Sequence, residues 1–580
     1  MQNLNKANES REKMSTIKKF VLNNKWLVGS YILIGVAISF IDSFNANYYQ
    51  VIIDKFTAKS LHVSDIAIYA IALLLWCVLE YIDEYPGNLI SNRTYFELKI
   101  SALRKIKTIK YEVYQHLGVG NLIQKVENGA EAGRSILCDF YLCVIREQIP
   151  AILFSLYFIY KINKMVMCGI AIGYIVVFII TKILLNALYD IKQKILINEE
   201  LFSHYLVRGF MEMAVFRVYR RFDWEEKKLD KAKTEIVDKR VKMTLVHEAF
   251  FTIFAILVSI IKIAIIGYGW KTQTITIGEV IALISLVDKA YSPVAIFNVL
   301  FVQYKLDQIA YERYEEFLHE EDELQIFGGK CIDHLDGRIE LKNVQVGYNE
   351  KDLFSGLNIL IKAGEKVALV GESGTGKTTI IKIILGLMKP KRGEVLINGI
   401  ENLDKINLNS YYQYISYIPQ ESPIFDGTLR ENIVFDKMYT DKEIINVLEK
   451  VDMLEWYKKL DNGLDTYLGE KGILVSGGER QRIALARLWF DDAAIIVLDE
   501  ATSALDNITE KEVMENVMKK LENKTVITIA HRLERIKKFD KIVVLKSGKI
   551  VGEGKFDSLA ENNLYFRELY STNQKELGGV

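Results

Sequence analysis

The sequence has no net charge: 74 basic residues balance 74 acidic ones over 580 positions. A chain without an overall basic field has no global attraction for nucleic acid, so any charge-driven partner must be met by a local patch. Cysteine is scarce. The five present, Cys77, Cys138, Cys143, Cys168 and Cys331, include none in the C-x-x-C spacing that zinc sites and dithiol redox centres use. Four lie in or beside apolar runs, where a reduced thiol packs as a small hydrophobe. Proline is also scarce for the length, six in all. No small-residue cleavage site follows the first apolar run, which is preceded by Lys6, Arg11, Lys13, Lys18, Lys19 and Lys25. That run is therefore expected to be a retained anchor and not a signal peptide.

Hydrophobic residues make up 50% of the chain, but they are unevenly placed. The long apolar runs all fall before about residue 300, and the remainder reads as ordinary soluble α/β sequence. A helix of roughly 20 apolar residues crosses a bilayer core. That template is met at 26–46, 66–85, 142–161, 164–187, 247–270 and 276–301, which predicts six spans. Long polar, mostly helical connections separate the second span from the third and the fourth from the fifth. The first carries Arg93, Lys99, Arg104, Lys105, Lys107 and Lys110, and the second Lys192, Lys194, Arg208, Arg217, Arg220 and Arg221. By the positive-inside rule both lie in the cytosol with the N-terminus, and an even number of spans returns the chain there after residue 301. Trp26 and Trp270 mark span ends, as interfacial aromatics do. Pro150 and Pro293 fall inside spans and predict kinks that neighbouring groups satisfy and that can shape a cavity. The division expected is a cytosolic segment 1–24, a six-helix transmembrane domain 25–310 with long cytosolic extensions, a linker 311–337, a soluble domain 338–572 opening on the alternation Arg338-Ile339-Glu340-Leu341, and a tail 573–580.

In the soluble part, the strand Lys366-Val367-Ala368-Leu369-Val370 runs into Gly371-Glu372-Ser373-Gly374-Thr375-Gly376-Lys377-Thr378, and Thr379 continues into a helical pattern. This is a P-loop in its strand–loop–helix context. Its glycines let backbone N–H groups converge on phosphate oxygens, and the helix N-terminus adds its dipole. Lys377 is expected to reach the β and γ phosphates of ATP, and Thr378 can hold Mg2+. Downstream, the apolar strand Ile495-Ile496-Val497-Leu498 ends in Asp499 and Glu500. Asp499 suits magnesium, and Glu500 is placed to polarise an attacking water.

These two motifs define a P-loop nucleotidase; the class turns on Ser476-Gly477-Gly478-Glu479-Arg480-Gln481-Arg482, which resembles the signature of the ATP-binding cassette family. A small-residue backbone at a helix start is again suited to phosphate. The order and spacing of the motifs resemble the exporter branch over essentially the whole chain. The resemblance implies a membrane α-helical six-span exporter domain fused to a cytosolic α/β P-loop ATPase. It also implies that Tyr348 stacks on adenine, that Gln420 in Ile418-Pro419-Gln420 senses Mg2+ and the membrane domain, and that Ser503-Ala504-Leu505-Asp506 is the D-loop. Thr466–Gly472, with Glu470, looks like the exporter-specific segment before the signature, and His531 like the switch histidine on the γ phosphate. The family's usual Leu-Ser-Gly-Gly-Gln reads Val475-Ser476-Gly477-Gly478-Glu479 here. Ser476 and Gly478 are retained, and with Glu500 present both composite sites are expected to be competent.

Each motif occurs once. In the family a nucleotide lies between the P-loop of one cassette and the signature of the other, so the resemblance implies a dimer, and intact motifs favour a homodimer. ATP would clamp the cassettes, with segments 111–120 and 212–225, carrying Tyr111, Tyr114, Phe216, Tyr219, Phe222 and Trp224, passing the motion to the membrane helices. The expected activity is export of an amphipathic peptide or drug-like molecule across the plasma (inner) membrane. A lipid flippase, an exporter-fold importer, an ATP-gated regulator and half of a heterodimer are the alternatives. Six spans exclude a soluble ATPase acting on nucleic acid. No cysteine-protease domain is expected before the spans. Glu80, Asp83 and Glu84 in the second span and Asp288 in the sixth leave two readings open: a partly acidic cavity favouring a cationic or amphipathic cargo, or pairs between helices that involve cations such as Lys182, Lys262 and Lys289.

Overall fold

The computed structural model describes residues 16–348, 351–469, 474–530 and 532–578. The chain divides into two compact units. The first comprises Met1–Lys107 with Leu117–Glu320, and the second Thr108–His116 with Glu321–Val580.

The first unit is helical throughout its described residues: α1 Thr16–Asn23, α2 Lys25–Thr57, α3 Val63–Thr108, α5 Val119–Ser135, α6 Ile149–Ile162, α7 Lys164–Met211, α8 Met213–Val218, α9 Phe222–Thr272 and α10 Ile277–Leu318, with α4 Tyr111–Leu117 inserted after α3. Local chemistry sets several of the starts. The Asn163 side chain accepts from Met165 N and Val166 N and so opens α7. Thr276 and Glu279 form a reciprocal capping box at the start of α10. Two π-helical stretches, Ile136–Leu142 and Val144–Gln148, widen the chain between α5 and α6, so Pro150 sits in the first turn of α6 after an irregular stretch and not inside a regular helix. Pro86 and Pro293 lie inside α3 and α10.

Five stretches, Lys25–Thr57, Val63–Thr108, Leu122–Ile162, Phe222–Thr272 and Ile277–Leu318, are long and apolar enough to cross a membrane. The span expected at 164–187 falls on α7, of which Lys164–Val177 is the apolar part described, the side chains of 180–187 lying outside the description. The helices share a dry core in which Phe158, Ile170, Leu283, Leu286 and Tyr291 are buried. Gly173 brings α7 close to α10, since a Cβ there would meet the Tyr291 hydroxyl at 2.0 Å, and that hydroxyl donates to Ile170 O at 2.7 Å.

Ion pairs between helices account for part of the intramembrane charge. Asp83 of α3 is held by Arg146, a residue of the second π stretch whose side chain is 5% exposed, and Arg146 also lies 3.8 Å over the Tyr31 ring. Asp288 pairs with Lys262 at 2.6 Å, and Lys289 pairs with Asp42. For Asp83 and Asp288 the reading as pairs between helices holds, and such pairs offset the cost of placing a charge among apolar groups. Glu80 is exposed, Glu84 bonds Asn88 on its own helix, and the Lys182 side chain lies outside the description. All five cysteines are free. Cys138 and Cys143 are half-buried, whereas Cys77, Cys168 and Cys331 are exposed and not packing residues as expected.

The second unit is built on two sheets. Strands β1 Ile339–Tyr348, β2 Lys351–Ile361, β4 Arg392–Ile397 and β5 Glu401–Asn402 pair antiparallel in the order β2-β1-β4-β5. The larger sheet runs β10-β9-β3-β8-β7-β6, with β3 Lys366–Val370, β6 Ile415–Ile418, β7 Ile495–Asp499, β8 Thr525–Ile529, β9 Lys541–Lys546 and β10 Lys549–Gly554. All its pairings are parallel except β10 with β9. Near-continuous apolar runs such as Ile495–Leu498 are what a parallel strand buried on both faces requires. Helices α11 Lys377–Ile384, α12 Gly477–Ala486, α13 Asn507–Lys520 and α14 Leu564–Gly578 belong to the same unit. So does the inserted segment 108–116: Thr108 O accepts from Glu323 N at 2.6 Å, Lys110 pairs with Glu321, and Lys382 of α11 approaches the Tyr111 ring at 5.7 Å.

Candidate functional site

Strand β3 carries Val367 to Val370 into the interior and delivers the chain to the P-loop. Two positions of this loop require glycine. At Gly371 (φ +153°) a Cβ would lie 2.3 Å from Leu545 O, and at Gly376 (φ +99°) 2.3 Å from Phe354 Cζ. Glu372, Ser373 and Gly374 are exposed, as is Thr378 in the first turn of α11, while Thr375 and Thr379 are buried. The Thr375 hydroxyl donates to Glu372 O at 2.9 Å and tightens the loop. Lys377 is buried, and its Nζ folds over the loop to donate to Gly371 O at 2.8 Å and Glu372 O at 2.9 Å. Burial pushes its ammonium pKa down, opposed by the nearby Glu500 and Asp499 carboxylates. A trianionic phosphate chain would supply the charge that this lysine's surroundings only partly provide.

Strand β7 is buried along its whole length, and Asp499 at its end is 3% exposed. On the neighbouring β6, the Tyr417 hydroxyl bonds Asp499, and burial, with that carboxylate adding, pushes the phenol up to about 12. The next residue, Glu500, takes a left-handed backbone conformation (φ +50°) that a non-glycine side chain rarely adopts, which turns it out of the strand line. Gln420, just past β6, donates from Nε2 to Glu500 Oε2 at 2.8 Å. The structure thus brings Lys377, Asp499, Glu500 and Gln420 to one end of the parallel sheet. The Thr378 hydroxyl, the Asp499 carboxylate and the Gln420 side-chain oxygen are hard oxygen donors that fit a magnesium ion completed by phosphate and water.

Ser476 caps α12 through a full capping box: its Oγ accepts from Glu479 N at 3.3 Å, and Glu479 Oε2 accepts from Ser476 N at 2.7 Å. The acid that departs from the usual glutamine is therefore the N3 partner of the cap, where a carboxylate also favours the helix dipole. Gly477 and Gly478 leave the turn open, and a Cβ at Gly478 would reach Ala504 O at 3.2 Å. Asp506 caps α13, accepting from Ile508 N at 3.1 Å and Thr509 N at 3.0 Å. These bonds, the Thr509 one foremost, hold its carboxyl below the usual range.

Of the other residues expected at the site, Tyr348 closes β1 opposite Lys351, and its side chain lies outside the description, as do Glu470, Gly472 and His531 entirely. Thr466 to Leu468 form a short antiparallel contact with the 427–429 turn.

Two groups of residues tie the motifs together and were missed in the sequence. Gln481, 4% exposed, donates to Ser503 Oγ at 2.9 Å and accepts from Ala504 N at 2.8 Å, which locks the signature helix to the D-loop. Glu510, 3% exposed, accepts from Thr502 at 2.8 Å and pairs with Arg532, which in turn donates to Asn507 Oδ1 at 2.7 Å. The only signal for Gln481 was its place five residues after Ser476, on the helix face that carries Gly478; Glu510 offered one in standing four residues after Asp506, on a helix whose cap was recognised.

Two family models match the chain: the ABC transporter model over residues 354–503 and the ABC transporter transmembrane region over residues 28–289. The chain is similar, at 25% identity over 507 residues and 86% of each chain, to an ATP-dependent lipid A-core flippase of Alcanivorax borkumensis. It is 27% identical over 528 residues, 89% of this chain and 90% of the other, to a putative multidrug export ATP-binding/permease protein of Staphylococcus aureus. An iron-sulfur clusters transporter of Debaryomyces hansenii mitochondria is 33% identical over 318 residues, 53% of this chain and 45% of the other. A solved structure of a bacterial Atm1-family ABC exporter with ATP bound superposes with a TM-score of 0.80, at 20% identity, over 96% of this chain and 98% of the other.

Proposed function

Since the chain belongs to the ABC transporter family, as an exporter-type half-transporter and multi-pass membrane protein with its own ATPase domain, we propose that two copies assemble into a homodimer with two composite ATP sites that export an amphipathic molecule across the plasma membrane. The observation that carries this reading is the distribution of the site over one cassette. Lys377, Asp499, Glu500 and Gln420 converge at one end of the sheet, while the capped Ser476 turn is tied instead to Ser503 and Ala504. One chain offers one of each half, and a second copy completes both.

In the assembled site Lys377 would exchange its two loop carbonyls for β and γ phosphate oxygens. Mg2+, held by Thr378, Asp499 and Gln420, would neutralise charge on the transferring phosphoryl group. Glu500, aimed by the Gln420 amide, would accept a hydrogen bond from the attacking water. Tyr348 would stack on adenine, His531 would contact the γ phosphate, and Gly371 to Thr379 with Ser476 to Glu479 and Asp506 would surround the nucleotide. Lys382 and Tyr111 support a coupling role for segment 108–116, because α11 follows directly from the P-loop and would carry its movement to that segment.

The testing experiment is ATP hydrolysis by the purified chain in lipid nanodiscs, with Lys377→Ala as control, against panels of peptides, amphiphilic drugs and lipids. Hydrolysis that depends on Lys377 and rises with one class of compound supports a competent homodimer. Hydrolysis that appears only after a different cassette protein is added would replace the homodimer with a heterodimer.

A further inference from the structure

Where four membrane helices of the first unit pass into their polar extensions, they enclose a cavity of about 430 Å3, within the usual size range of small-molecule sites. One wall is aromatic: Phe140 stacks on Tyr304 with ring centroids 4.2 Å apart, and the Tyr304 hydroxyl shares a hydrogen bond with Tyr141 at 3.2 Å. Val302 and Met243 add apolar surface. Across the cavity stand two nitrogen groups. Among the described residues, Lys192 of α7 is half-buried and makes no ion pair, and His247 of α9 has its Nε2 enclosed with no hydrogen-bond partner. The carboxylate on the lining, Asp139, is already occupied, accepting from both terminal nitrogens of Arg134 at 3.2 and 3.1 Å.

The polar capacity left unused is therefore an ammonium and an imidazole nitrogen, the latter a donor in the tautomer that carries its proton on Nε2. A half-buried ammonium near an unsatisfied imidazole nitrogen, with no counter-ion among the described residues, is a costly arrangement that a bound acid relieves. We propose that this cavity binds an amphipathic anion, a carboxylate, sulfonate or phosphate on an apolar or aromatic body, with the acid at Lys192 and His247 and the body against Phe140, Tyr304 and Met243. That such an anion is the cargo rests on the export reading above. The assignment opposes the cationic preference expected from the acidic residues of the spans, because Asp83 and Asp288 are paired whereas this lysine has no ion pair among the described residues.

The test compares pyrenesulfonate with pyrenemethylammonium, which share a ring system and differ in charge, by equilibrium binding to the full chain in phosphatidylcholine nanodiscs. The sulfonate is expected to bind, to bind about tenfold more weakly to Lys192→Gln, and to recover with Lys192→Arg. The exposed Lys194→Gln on the same helix leaves it unaffected. Equal sulfonate binding by wild type and Lys192→Gln, or preference for the ammonium, overturns the site. Repeating the titration in discs rich in phosphatidylglycerol separates the sources: competition seen with wild type and absent in Lys192→Gln assigns the site to an anionic lipid headgroup, and no competition assigns it to a solute; either supports an anion site. ATP-driven uptake of the sulfonate into inside-out proteoliposomes supports its being cargo. Binding without uptake by protein that hydrolyses ATP overturns the cargo assignment and leaves export standing, whereas lack of hydrolysis counts against export and leaves the binding result unaffected.

Discussion

The Gln420 amide donates to the Glu500 carboxylate at 2.8 Å, across 80 residues of sequence, and Glu500 itself sits in a left-handed backbone conformation at the end of a fully buried strand. The carboxylate is thus aimed by an amide from the segment just past β6. Replacing Glu500 with Gln keeps the size and the hydrogen bond but removes the base. Hydrolysis should fall by at least about 100-fold while nucleotide is still bound and occluded. Steady-state ATPase activity and nucleotide retained after rapid desalting check this, and unchanged turnover would remove Glu500 from its role.

The capping box gives the acid in the signature a structural place. Glu479→Gln keeps an N3 acceptor for the Ser476 amide and should leave ATP turnover unchanged or raised. Glu479→Ala loses that acceptor and should lower turnover. Equal rates in the two variants would show that the cap has no part in presenting the turn.

Gln481 joins the signature helix to the D-loop through two bonds from one buried amide. Gln481→Leu leaves Ala504 N and the Ser503 hydroxyl without that partner, a loss of about 1–3 kcal/mol. Since no contact with nucleotide is invoked for Gln481, kcat should fall by more than KM for ATP rises. A purely KM effect would point to a direct nucleotide contact.

Asp83 and Arg146 meet through one hydrogen bond, with Asp83 Oδ1 and Arg146 Nε enclosed and without a partner among the described residues, and Arg146 also lies 3.4 Å from the more exposed Glu147. Asp83→Ala leaves the buried arginine with only the exposed Glu147 at 3.4 Å and should destabilise the membrane unit by up to about 3–5 kcal/mol, while the double Asp83→Leu/Arg146→Leu variant should recover most of the loss. Thermal unfolding of detergent-solubilised protein reads both. A double variant no better than the single would mean the pair specifies packing that leucines cannot replace.

Asp506 supplies a pH test. Its carboxyl is held below the ordinary value by the Thr509 and Ile508 amides, so its stabilising effect is present above the unfolded carboxylate pKa of about 4 and is lost as pH falls through the lower folded value. The thermal midpoint of nucleotide-free wild type should exceed that of Asp506→Ala near neutral pH, and the gap should close on acidification. A gap independent of pH would place the effect in packing.

Where function was legible in the sequence, the signal was contiguous. Residues 366–379 hold strand, loop and helix in unbroken order, and the glycines at 371 and 376 stand where a Cβ would strike Leu545 and Phe354. Residues 495–500 likewise read as a buried strand ending in two acids, and they are one. The apolar runs announced membrane helices for the same reason, since a bilayer demands length and hydrophobicity from one continuous segment. The α10 capping box lies within four residues, so it too was within reach of the sequence.

Reach is also what hid the rest. Arg146 finds Asp83 from 63 positions away, Gln481 finds Ser503 from 22, and Lys382 meets Tyr111 from the far side of the membrane unit in sequence. Charges within the spans could be counted from the sequence but not paired, because pairing depends on helix rotation and the π-helical widening at 136–148, which no local propensity specifies. The sequence by itself determined a membrane half followed by an ATPase half, through motifs whose chemistry is carried by neighbouring residues. Only the tertiary structure decided which intramembrane acids are neutralised, which lysine is left beside a cavity, and how the signature helix grips the D-loop, because each is settled by packing between segments distant along the chain.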